Sequence, residues 1–177
     1  MEQVILVNES DVAIGTMEKV EAHEKALLHR AFSVFIFNQN GEMLLQQRAL
    51  KKYHSGGLWT NACCSHPRPN EATIEAANRR LSEEMGFSTE LFKAFSFTYK
   101  AAFDNGLTEH EFDHVFVGTY DGDIHFNTDE VAQYAYVPLE TIEAEIQSHP
   151  HQYTAWFLIA LPKVKAWLHQ QSALILQ

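Results

Sequence analysis

Two apolar runs, Ala31 to Phe37 and Met43 to Gln47, flank Gln39-Asn40-Gly41. An Asn-Gly pair between β-type segments accepts the positive φ of a tight turn, so this pattern predicts a hairpin of two antiparallel strands. The clearest helical period lies further on. From Ala72 to Met85 the residues Ile74, Ala77, Leu81 and Met85 recur three or four apart, charges fill the gaps, and Gly86 follows as a helix-ending glycine does. Runs at Phe95 to Ala101, Phe112 to Tyr120 and Tyr134 to Val137 read as strands. Leu139 to Gln147 and Thr154 to His169 read as helices, with Pro162 expected to kink or interrupt the last. No repeat, low-complexity stretch or long linker divides the chain, so the expectation is one α+β domain over residues 1–177, a mixed sheet with flanking helices.

Composition narrows the partners. The 177 residues are 46% hydrophobic, enough for a continuous core that still leaves a cleft. Lys and Arg number 13 against 23 Asp and Glu, a formal charge of -10, so no broad basic surface exists to neutralise a nucleic-acid backbone. A small anionic substrate would meet the same repulsive field, so any phosphate site must be built locally from a few cations or a bound metal. Cys63 and Cys64 are neighbours on an extended segment and point to opposite faces, which sets them badly for a disulfide. With no secretory pattern and no apolar stretch long enough to span a bilayer, the expectation is a cytoplasmic protein without membrane contact.

Three groups of residues carry candidate chemistry. In Leu58-Trp59-Thr60-Asn61-Ala62-Cys63-Cys64-Ser65-His66-Pro67 a thiol and an imidazole stand two residues apart, although a small buried hydrophobe and a loop histidine would look the same. Glu109-His110-Glu111 places both carboxylates on one face of a strand. With His23, His29 and His66 these acids form the ligand mixture of a divalent ion, but ten histidines occur in the chain and scattered surface histidines remain an alternative.

The third group is longer. Glu71 is followed by Arg79-Arg80-Leu81-Ser82-Glu83-Glu84-Met85-Gly86-Phe87, which resembles the Nudix box Gly-x5-Glu-x7-Arg-Glu-U-x-Glu-Glu-x-Gly-U, with U apolar. Glu83 and Glu84 near the end of the helix, with Arg79 and Arg80 offsetting their repulsion, would let Mg²⁺ bridge to a diphosphate. Two positions depart from the box: Ser65 stands for its first glycine and Arg80 for a metal-binding glutamate, which disfavours hydrolysis.

These departures, with Trp59-Thr60-Asn61, Cys64-x-His66-Pro67 and Glu109-x-Glu111, make the chain similar to the type 1 isopentenyl diphosphate isomerase family. The resemblance extends from Gly15-Thr16-Met17-Glu18-Lys19 through Ala22-His23, His29-x-Ala31-Phe32-Ser33 and Arg48-Ala49-Leu50-x-Lys52 to Tyr99 and Trp156. It implies a Nudix-like mixed sheet flanked by helices, and interconversion of isopentenyl and dimethylallyl diphosphate in isoprenoid biosynthesis. It further implies that Cys64 and Glu111 transfer the protons, and that His23, His29, His66, Glu109 and Glu111 hold one divalent metal, Mn, Zn or Mg. Glu84 would help hold Mg on the substrate diphosphate, and Lys19, Arg48, Lys52 and Arg80 would be the local cations, with Lys51 a substitute for Lys52. Tyr99 would tune Glu111, and Trp156 would face the developing carbocation. From periodicity alone Trp156 is a core residue beside Ile159 and Ala160, and Tyr99 a packing tyrosine. The partner implied is a small isoprenoid diphosphate met by a monomer or weak homodimer. The rivals are a Nudix hydrolase of a nucleoside diphosphate derivative and a non-catalytic metal-binding module.

Overall fold

The computed structural model describes residues 2–52 and 54–175. Nine strands and four helices are seen among them: β1 Gln3–Val7, β2 Ala13–Glu18, α1 Lys19–Glu24, β3 His29–Phe37, β4 Met43–Arg48, β5 Trp59–Asn61, β6 Cys63–Ser65, α2 Thr73–Met85, β7 Leu91–Ala102, β8 Thr108–Thr119, β9 Val131–Val137, α3 Leu139–Ser148 and α4 Ala155–Ile175. The strands join in one mixed sheet with β3 at its centre. One edge of β3 runs parallel to β8, from His29 opposite Glu111 to Phe37 opposite Thr119. Its other edge is taken by β6, which sets Ser33 opposite Cys64, with single pairs to β1 and β4 at the two ends. β7 extends the sheet beyond β8, and β4 lies between β5 and β9.

The expected hairpin is therefore a turn without a ladder. Gly41 takes φ 75°, and the Asn38 carboxamide oxygen accepts from the backbone of Asn40 and Glu42, so the Asn-Gly signal was sound for the turn. The strands it joins share only the Phe37–Met43 pair, because β6 occupies the edge of β3 that β4 would need.

Side-chain alternation divides the interior. Phe32, Val34 and Ile36 of β3, with Phe116 of β8, pack beneath Leu81 and Met85 of α2. Phe35 and Phe37, with Val115 and Val117, pack beneath Trp156, Phe157 and Leu161 of α4. The adjacent cysteines obey the same rule: Cys63 joins the α2 core, Cys64 lies against the α4 core, and both are free thiols. Pro162 does not break the last helix as expected, since α4 runs through it. The ring sits on the exposed side, while Phe157, Ala160, Leu161 and Val164 are buried around it and hold both halves to the sheet. Among the described residues no helix is long and apolar enough to cross a membrane.

The C-terminus of α2 places the motif residues and depends on one glycine. Gly86 caps the helix at φ 76°, its N–H bonding to the carbonyl of Ser82, and a Cβ there would lie 2.1 Å from the His125 carbonyl oxygen. We predict that Gly86→Ala costs about 2 kcal/mol or more, from the left-handed φ and a backbone clash that no rotamer relieves. A urea midpoint matching wild type would contradict this.

Candidate active site and metal centre

The parallel pairing of β3 with β8 decides where the chemistry sits. His29 stands opposite Glu111, and Tyr99 of β7 stands opposite Glu111 on its other side. The period of two along β8 then puts Glu109, Glu111 and Asp113 on the face covered by α4. His23 arrives from α1 and His66 from the segment after β6. One ligand atom from each of His23, His29, His66 and Glu111 falls within 4.8 Å of the others, and all four residues are buried. His66 Nε2 is 2.9 Å and His29 Nε2 3.6 Å from Glu111 Oε1.

The donors fit a divalent cation. His23 Nδ1 lies 2.7 Å from the Lys19 carbonyl and His29 Nδ1 2.8 Å from the Leu27 carbonyl, so each outer nitrogen carries the proton. The inner Nε2 atoms, buried and without a hydrogen-bond partner, are left as lone pairs aimed at the cluster. Burial lowers the proton affinity of His23, and that of His66 to about 4, which keeps both as neutral ligands.

Beside this cluster lies a small chamber of about 50 Å³, bounded by Cys64, Tyr99, Glu109, Glu111 and Trp156. It shares Lys19, Lys52, His66 and Arg80 with a wider outer chamber of about 380 Å³ that adds Arg68 and Arg79. Burial, and then the charge of Asp113, pushes the Cys64 thiol up. Tyr99 Oη is 2.6 Å from Glu111 Oε2 and 2.9 Å from Glu109 Oε2, bridging the two acids. Burial and the Glu111 charge push Glu109 up, whereas the hydrogen bond from His66 and the nearby imidazole of His29 outweigh burial at Glu111 and hold it low. One carboxyl of the pair is thus a proton holder and the other an anion. Asp113 is pushed up to about 8 by burial and the same Glu111 charge.

Three cations at the mouth already have internal counter-charges. Lys19 pairs with Glu2, Lys52 with Glu130, and Arg80 with Glu84 at 2.6 Å and Glu130 at 3.3 Å. The Arg48 guanidinium lies 5.1 Å from the Trp156 ring centre. Basic side chains thus gather at the mouth on a chain of net charge -10, with carboxylates set among them.

Of the residues singled out from sequence, Lys19, Arg48, Lys52, Cys64, His66, Arg80, Glu84, Tyr99, Glu109, Glu111 and Trp156 border the inner chamber. His23 and His29 do not border it and belong to the neighbouring His and Glu cluster. Glu109 is not one of the four converging ligands and meets Glu111 through the Tyr99 hydroxyl. Trp156 belongs both to the chamber and to the α4 core, so the two views of it coexist. Two expectations are corrected. Glu83 does not stand with Glu84 at the chamber: neighbours on a helix point about 100° apart, leaving Glu83 on the surface with Arg79 and Arg80, while Glu84 is buried and accepts from Gln46 Nε2 at 2.9 Å. Lys51 is no substitute for Lys52, since its exposed amine pairs with Asp129 on the surface.

Two site residues escaped the sequence argument. His54 stacks on Phe103 at 4.8 Å between ring centres and meets Trp156 edge-on at 5.9 Å, and burial and Arg48 hold it neutral, down to about 3. Its sequence signal was no more than its place after Lys51 and Lys52 in a glycine-rich loop. Asp113 did have a signal, being the next position in the alternation that selected Glu109 and Glu111.

The profile of the NUDIX domain matches residues 27–157. The chain is 50% identical over 163 residues to the isopentenyl-diphosphate Delta-isomerase 2 of Aromatoleum aromaticum, covering 92% of this chain and 86% of that protein. It is 49% identical over 165 residues to the isopentenyl-diphosphate Delta-isomerase of Serratia proteamaculans, covering 93% and 92% respectively. Among solved structures, the MutT protein of Methanosarcina mazei Go1 superposes with a TM-score of 0.65 at 20% identity, over 78% of this chain and 94% of that one.

Proposed function

The chain belongs to the isopentenyl-diphosphate Delta-isomerases of the NUDIX family, and on that premise we propose how its two chambers interconvert isopentenyl and dimethylallyl diphosphate. The observation that carries the proposal is that Cys64 and Glu111 line one small chamber, beside a His and Glu cluster that fits a metal. The five-carbon tail enters the inner chamber, and the diphosphate stays in the outer one among Lys19, Lys52 and Arg80, with Arg48 at the junction. Glu130 and Glu2 give up part of their hold on these cations as the phosphates arrive.

The alkene is unactivated, so the reaction needs a proton placed on one carbon and another removed two bonds away. Cys64 and Glu111 approach opposite sides of the alkene, one delivering a proton to the terminal methylene while the other takes one from the internal methylene, which moves the double bond. Tyr99 donates to Glu111 and holds that carboxylate at its angle. Trp156 presents its ring to the cationic centre, a contact of about 2 kcal/mol when desolvated. The metals, when bound, supply positive charge: Mn, Zn or Mg on His23, His29, His66 and Glu111, with Glu109 adjoining, and Mg through Glu84 beside the diphosphate.

With Mg²⁺ and isopentenyl diphosphate in deuterated water, we expect deuterium to appear in dimethylallyl diphosphate. Release of inorganic phosphate without isomerised product would make the protein a hydrolase instead, and unchanged substrate would make it a binding module.

A further inference from the structure

Cys64 has surroundings that the proton-transfer pair does not explain. Its sulfur lies 3.0 Å from Asn61 Oδ1 and 3.3 Å from Ser33 Oγ. Both neighbours are fixed from behind. Asn61 gives its two amide hydrogens to the carbonyls of Val34 and Cys63, each at 3.0 Å, so its oxygen faces the thiol. Ser33 has one hydroxyl proton and donates it to Asp113 Oδ2 at 2.7 Å. Its lone pair is what remains for the sulfur. The chain crosses three strands: Asp113 on β8, Ser33 on β3, and Cys64 on β6 opposite Ser33. Ser33 and Asp113 are 3% and 1% exposed, so no water competes for these bonds.

A buried carboxyl is costly, and this one bonds a single serine, its other oxygen having no partner. Stabilising a strand does not need a carboxyl at this position, because an aliphatic residue such as the neighbouring Val115 would fill it. What only an acceptor can do is turn the Ser33 hydroxyl away from sulfur. Without it, the hydroxyl would donate to Cys64, and the S–H would lose one of its two acceptors.

We propose that Asp113, acting through Ser33, is a positioning residue for the isomerisation: it fixes Ser33 as an acceptor, so that the resting Cys64 S–H is shared between Ser33 and Asn61 and the sulfur is held at one place on the chamber wall. The proposal rests on Cys64 being a proton-transfer residue, and the test separates the two claims.

Four variants in the metal-loaded enzyme decide it: Ser33→Ala, Asp113→Leu, the double variant, and Asp113→Asn, whose amide oxygen still accepts from Ser33. We expect kcat to fall about tenfold in each single removal with KM within twofold of wild type, as for a misaimed reacting group. The double variant falls no further than Ser33→Ala, because Asp113 acts only through that hydroxyl, and Asp113→Asn stays close to wild type. The infrared S–H stretch of Cys64, assigned by its absence in Cys64→Ala, moves toward the free-thiol position in Ser33→Ala and Asp113→Leu and stays in place in Asp113→Asn. The proposal is overturned if Ser33→Ala keeps wild-type kcat, if the double variant loses the product of the single effects, if the S–H band does not move, or if loss in Asp113→Leu follows loss of bound metal. Activity surviving in Cys64→Ala would instead remove the role assigned to Cys64, while the band would still report whether Asp113 orients the thiol.

Discussion

Replacing Cys64 with serine should reduce turnover of isopentenyl diphosphate by about 10³-fold, within the range ascribed to one proton-transfer group, without unfolding the protein. Serine keeps the size of the side chain and can still donate to Asn61 Oδ1, so the packing around β6 survives. What it lacks is acidity, since an alcohol holds its proton far more tightly than a thiol. No neighbour can stand in. Ser33 has committed its proton to Asp113, Asn61 has spent both amide hydrogens on carbonyls, and Cys63 points into the α2 core on the other side of the sheet. The check is product formation together with deuterium incorporation, in protein whose melting temperature and bound metal match wild type. Turnover within tenfold of wild type would mean that the proton travels by another group.

The sequence made some of this legible and hid the rest for definable reasons. Long periodic segments came through: Ile74, Ala77, Leu81 and Met85 mark α2 because a 3.6-residue period over thirteen residues has few competing explanations. Alternation placed Glu109 and Glu111 on one face, and β8 confirms it. The N-terminal β1 and β2 went unseen because β2 is exposed over most of its length and has no apolar alternation to read. β5 and β6 have three residues each, too few to show a period. The Asn-Gly signal described a turn correctly but carried no information about β6 and β8, which settle the neighbours of β3 from more than twenty residues away. The same limit applies to the site. Residue types and motif spacing named most of its members, but only the His29–Glu111 register and the packing of α1 bring the imidazoles to one point. His54 had no pattern of its own, and its ring contacts with Phe103 and Trp156 join residues far apart in the chain.

Glu111→Gln is expected to be the most damaging single change, because Glu111 serves the metal cluster and the proton transfer together. Its Oε1 faces His66 and His29, and its Oε2 takes the Tyr99 hydroxyl. Glutamine has the same shape but no charge, and its nitrogen must occupy one of these positions. Facing the histidines, that NH₂ would point donors at the lone pairs meant for a cation; facing Tyr99, it would displace the hydrogen bond that holds the group at its angle. Either arrangement removes the anion that three neutral imidazoles need beside them to bind a divalent ion tightly. Metal affinity should therefore fall by more than the roughly 10–100-fold typical of losing an outer partner of a ligand. Turnover should fall by about 10⁴-fold, the upper range for an acid–base group, and excess metal should not restore it because the amide cannot exchange the proton. Melting temperature supplies a readout independent of activity. A ligand that binds only the folded state stabilises it in proportion to the logarithm of its concentration over its dissociation constant, so added Mn or Zn should raise the wild-type melting temperature and barely move that of the variant. If both proteins rise equally with metal, Glu111 is not a ligand; if turnover returns at high metal concentration, it is a ligand only, and the proton acceptor must be sought at Glu109, the neighbouring acid on the same face of β8.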